Sequence, residues 1–113
     1  PEEEMWVSAY EQFIADLRRH HPEATIFCAL GPMLSDQWSP SKNALSTCRR
    51  YLQRIVAKCN SAGDTRVFFL EFPMQDGSTG FGADWHPSRQ THLVMAEVLA
   101  AAIEEKLSWQ RVR

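Results

Sequence analysis

Apolar positions along this chain switch between helical and strand spacing, and the switches mark out its elements. After Glu2, Glu3 and Glu4, the residues Met5, Trp6, Ala9, Tyr10, Phe13, Ile14 and Leu17 recur at helical spacing. This predicts an amphipathic helix whose acidic first turn suits the helix dipole and which ends before Pro22. The run Ala24-Thr25-Ile26-Phe27-Cys28-Ala29-Leu30, stopped by Gly31-Pro32, predicts a strand covered on both faces, as in a parallel sheet. A loop carrying Met33, Leu34 and Trp38 follows, and Ser39-Pro40 is the expected N-cap and first position of a second helix. That helix has its inner stripe at Leu45, Cys48, Leu52, Ile55, Val56 and Cys59 and stops in Asn60 to Gly63.

Arg66-Val67-Phe68-Phe69-Leu70 predicts a second buried strand. The stretch from Glu71 to Trp85, with Pro73, Gly77, Gly80 and Gly82, reads as a long loop of the kind that carries function in a folded domain. After His86-Pro87-Ser88 a third helix runs to about Leu107, with Met95, Leu99, Ile103 and Leu107 on one stripe. Helix, strand, helix, strand, helix predicts an α/β fold in which a right-handed crossover makes the strands parallel between helical layers. Ligands of such sheets sit beyond the carboxyl ends of the strands, so both unusual loops belong to one ligand edge.

Composition narrows the function classes. With 113 residues, 44% hydrophobic and 23% charged, the chain is one domain at most and ordinary for a globular one. A net charge of −2 with scattered basic residues makes nucleic acid an unexpected partner, and no apolar run is long enough to span a bilayer. Cys28, Cys48 and Cys59 sit in apolar-periodic stretches without metal spacing and are expected to be buried free thiols. Pro1 is preceded by no initiator methionine, and the chain reads as cut from something longer.

His86 is the candidate base. It ends the long loop at the start of a helix, on the ligand edge, where the helix dipole keeps an imidazole neutral and able to accept a proton. Asp84 is within reach to orient the ring, and Trp38 and Trp85 in the two loops offer flat faces and an N–H to a ligand, Trp85 being equally suited to close the open end of the core. Phe81 is expected to close the open end of the core, and His92, on the inner stripe of the last helix, to be a hydrogen-bonded core residue. His86 and His92 are not spaced to align two ligands on one helix face, so no metal or other cofactor is expected. The glycines from Gly77 to Gly82 fit neither nucleotide-binding pattern.

Gly82-Ala83-Asp84-Trp85-His86-Pro87-Ser88, continued by Thr91-His92 and Met95-Ala96, closely resembles the last block of the SGNH (GDSL-like) hydrolases, carbohydrate esterase family two in particular. Tyr10, Phe13, Pro22 and the string from Ile26 to Leu34 are similar to the same family's middle region. The resemblance implies a three-layer α/β/α sandwich with a parallel, flavodoxin-like sheet, of which residues 1–113 form the C-terminal part. It also implies a secreted serine esterase that removes acetyl groups from plant cell-wall polysaccharide such as xylan, with His86 as base. The superfamily's aspartate stands three residues before the histidine, where this chain has Ala83, so triad and dyad both remain open. The nucleophile and oxyanion-hole blocks have no counterpart here, and Ser78 imitates the letters of the nucleophile block in the wrong place. A lipid or small-ester hydrolase, and a non-catalytic module that self-associates or pairs with the missing part, are the alternatives.

Overall fold

The computed structural model describes residues 2–38 and 40–112. Its order is α1 (Glu2–His20), β1 (Ile26–Leu30), α2 (Ala44–Ser61), β2 (Val67–Glu71) and α3 (Arg89–Leu107), with a single 3-10 turn at Ala83–Trp85. The strands pair in parallel, Ile26 opposite Val67 and Leu30 opposite Glu71, so the expected crossover unit is present. Both strands are slightly shorter at their N-terminal ends than the apolar runs suggest.

Period-two alternation sorts the strand residues by face. Cys28, Leu30 and Val67 are buried with Val7 and Ile14 of α1 and Leu52 and Ile55 of α2, and this cluster is the core. Phe27 and Phe68 point the other way, their rings 5.8 Å apart. On that side Lys106 of α3 lies over the Phe68 ring. Helices therefore flank the sheet on both faces.

The outer side is thinly covered. Thr91 is the buried residue of α3, while Leu93 and Leu99 are exposed, as are Ala29 in β1 and Trp109 beyond the helix. The stripe expected to be buried in α3 is thus at most half-covered, and β1 is not covered on both faces. His92 is exposed, contrary to expectation, because among the described residues little packs on its side of α3. The phase of α1 also differs: Val7 and Ile14 are buried, whereas Met5, Ala9 and Phe13 are exposed. Trp6 stacks on Tyr10 and leans on Tyr51, forming an aromatic seam between α1 and α2.

Helix α2 starts later than Ser39-Pro40 predicts. Ser39 lies outside the described residues, Pro40 is in a turn, and Asn43 in the left-handed region precedes the first helical residue without a side-chain cap of its own. Asp36 supplies the cap from outside, accepting from the backbone N–H of Ser46 at 3.0 Å. That bond holds its carboxyl below the usual range. Arg18 closes the opposite end, donating to Asp64 at 2.9 Å and 3.1 Å and to the carbonyls of His21 and Pro22. Cys28, Cys48 and Cys59 are all free thiols; Cys28 is buried and the other two half-buried.

Candidate active site

The two strands deliver their loops to one edge. Gln75 donates its backbone N–H to the carbonyl of Pro32, 3.0 Å away, and so ties the second loop to the first. Beneath them Arg49 of α2 forks onto the carboxylate of Glu71, the last residue of β2. Asp36 adds to the charge favouring the cationic guanidinium. Both loops are thereby anchored at their roots to α2.

Between the loops lies a cleft of about 500 Å³ lined by Met33, Trp38, Gln75, Asp84 and Trp85. Three of the four residues singled out from the sequence line it, and His86 follows directly in the chain. Trp38 is 83% exposed and Trp85 72% exposed, so both indoles are free to present a face to a ligand. Phe81 does not close the core; it is exposed and stands edge-on to Trp85 with ring centroids 5.2 Å apart.

The backbone around His86 is closely held. Phe81 and Pro87 form an antiparallel bridge. Gly82 donates to the His86 carbonyl at 2.7 Å, and the His86 N–H donates to the Ala83 carbonyl at 3.0 Å. Within this small ring Asp84 and Trp85 both take left-handed backbone angles, at φ 50° and 64°, unusual for residues with a side chain. A Cβ on Gly82 would lie 3.2 Å from the carbonyl oxygens of His86 and Pro87, so glycine is what lets the strands of the ring approach.

Hydroxyls fasten the ring to α3. Ser88 caps the helix by accepting from the Thr91 N–H at 3.1 Å, and its own hydroxyl donates to the Thr79 carbonyl at 2.7 Å. The hydroxyls of Thr79 and Thr91 lie 2.7 Å apart. Thr91 is buried, which explains why the one buried residue of α3 is polar: its partners come from the loop.

Among the described residues no side-chain hydrogen bond joins Asp84 to His86; the aspartate is exposed on the cleft wall. Ser78 lies in an exposed turn, its N–H bonded to Asp76 at 2.9 Å, with no bond to His86. Among the described residues no group of three or more His, Cys, Asp or Glu is arranged to hold a metal ion, and no helix is long and apolar enough to cross a membrane. Sequence reasoning missed Gln75, Thr79 and Thr91. Only Thr91 carried a signal, as a polar residue facing inward after an N-cap serine.

The cleft at the carboxyl edge of the parallel strands, walled by two loops and followed by a histidine two residues before the N-cap of α3, is set in an α/β fold of the SGNH type. No family model matches the chain. It is 51% identical over 104 residues to the cellulase/esterase CelE of Acetivibrio thermocellus, matching 92% of this chain and 12% of that protein. A family two carbohydrate esterase from Clostridium thermocellum in complex with cellohexaose superposes with a TM-score of 0.88 at 48% identity, covering 96% of this chain and 31% of that one. A carbohydrate esterase family 2 enzyme from Myceliophthora fergusii superposes with a TM-score of 0.83 at 30% identity, over 95% and 31%. The chain is a homologue of the family two carbohydrate esterases and spans about a third of the solved structures it matches.

Proposed function

We propose that this chain carries the base-bearing part of a serine esterase that removes acetyl groups from plant cell-wall carbohydrate such as acetylated xylan. The observation that carries the reading is the cleft shared by Trp38, Asp84 and Trp85, with His86 next in the chain at the strands' carboxyl edge. The solved relative holding cellohexaose supports a sugar in that cleft.

In the proposed reaction a serine outside these residues attacks the acetyl carbonyl while His86 takes its proton. Collapse of the tetrahedral adduct expels the sugar oxygen, which receives that proton from His86. Water, deprotonated by the same imidazole, then attacks the acetyl-serine, and acetate leaves as the serine recovers its proton. The missing bond between Asp84 and His86 favours a serine and histidine dyad, with Asp84 facing the sugar. On this reading His86→Ala abolishes turnover of an acetyl ester by the longer protein, whereas Asp84→Asn keeps most of kcat. Near wild-type turnover in His86→Ala overturns the reading.

The thin outer side of the sheet bears on the partner. The radius of gyration is 15.7 Å, against about 13 Å for a compact chain of this length. From Leu93 to Ile103 α3 is apolar except at Glu97, yet Leu93 and Leu99 in that run are exposed, and such a surface is normally buried against another element. We assign its cover to the remainder of the esterase domain, the C-terminal part of which this chain supplies. Expressed alone, the 113 residues self-associate; a monomer at high concentration by light scattering contradicts this.

A further inference from the structure

We propose that Gln75 is a positioning residue for His86, acting through the Trp85 carbonyl. Its side-chain amide donates from Nε2 to that oxygen at 2.6 Å. A carbonyl accepts only, so the amide nitrogen must face it, and the orientation of the side chain follows. The other end of the amide is left without compensation: Oε1 is fully buried and no group among the described residues pairs with it. A buried acceptor in that condition is a standing cost to the fold. Turning the amide over would bring Oε1 against the Trp85 oxygen, which is worse.

Three departures from ordinary structure thus meet at one turn: the orphaned oxygen and the left-handed backbones of Asp84 and Trp85. Such departures persist where the surroundings over-determine them, and they gather where a geometry matters. The peptide that Gln75 grips joins Trp85 to His86, so its tilt sets the direction in which the imidazole leaves the backbone. Gln75 is itself fixed through its N–H on the Pro32 carbonyl, at the end of β1. The base is thereby referenced to the sheet although it sits in a loop.

This inference rests on the assignment of His86 as the base, and the test separates the two. The longer protein is assayed with 4-nitrophenyl acetate, a probe too small to depend on the tryptophans, as wild type, His86→Ala, Gln75→Met and Gln75→Glu. Met keeps the volume and removes the donor. We expect kcat of Gln75→Met to fall about tenfold or more with KM nearly unchanged, the cost of a misdirected catalytic group. Gln75→Glu, whose protonated carboxyl still donates to the carbonyl, regains kcat relative to wild type as the pH is lowered from 8 to 5. If His86→Ala is inactive while Gln75→Met keeps wild-type kcat, or loses activity only in proportion to its unfolded fraction by melting, Gln75 has no positioning role. If His86→Ala is active, the esterase reading itself fails.

Discussion

Replacing Thr91 by valine removes one hydroxyl from the join between α3 and the loop that ends in His86. Valine has the same shape, and the backbone N–H of residue 91 keeps its bond to Ser88, so the helix cap survives. What is lost is the pair with the Thr79 hydroxyl at 2.7 Å and the weaker one with Ser88 at 3.2 Å. Thr91 is 5% exposed, so water does not replace it freely and the Thr79 hydroxyl is left short of a partner. Mutational experience sets the penalty at about 1–2 kcal/mol. If the loss is confined to the loop, the ratio of docked to undocked loop falls about 5–30-fold. Hydrogen exchange reads this ratio directly at Gly80, Gly82 and His86, whose N–H groups all bond within the loop. Their exchange should accelerate by that factor while Cys28 and Leu30 in β1 stay unchanged. Equal acceleration at both places, or none at either, refutes the idea that hydroxyls hold the loop.

Trp38→Ala and Trp85→Ala should each weaken binding of a xylan or cellulose oligosaccharide about fivefold, equivalent to about 1 kcal/mol for one stacked ring, as measured by calorimetry. The Ser46 N–H holds the Asp36 carboxyl low and the Arg18 guanidinium does the same for Asp64. Depressed carboxyls contribute stability above their unfolded value near 3.9, and it is lost as pH falls through the folded values. Asp64→Asn should therefore flatten the acid limb of a melting-temperature profile and leave the neutral limb parallel to wild type. Burial pushes the Cys28 thiol up to about 11, so its contribution is full below its unfolded value and lost as pH rises through the folded one. Native Cys28 should resist alkylation at pH 8 and react at once in denaturant, as read by mass spectrometry.

The order of elements and the shared edge of the two loops were legible because buried strands and helix stops leave strong local marks: Gly31-Pro32, Asn60 to Gly63, Ser88. The inward phase of α1 was not. Trp6 and Tyr10 serve a seam with α2 while Val7 and Ile14 reach the sheet, so two faces overlap in one apolar count. The delayed start of α2 was hidden because its cap comes from Asp36, ten positions before the residue it serves. Gln75 was invisible because a glutamine in a loop has no pattern, and its meaning arises only when Trp85 turns its carbonyl inward. His92 and the α3 stripe misled for a different reason: periodicity reports what a helix is suited to bury, and among the described residues little packs on that side of α3.

Solvent exposure normally marks the positions at which a protein accepts change. Gly82 is exposed and its φ of −80° suits any residue, so by those measures it should vary freely. Yet a methyl group there would press on the His86 and Pro87 carbonyls and spread the ring that holds the imidazole. Gly80, two positions away, has open space around it but a left-handed φ of 70°. One glycine is required by its neighbours and the other by its own backbone, so a survey of alanine variants should find both sensitive. Loss at residue 80 should register in stability, and loss at residue 82 in turnover.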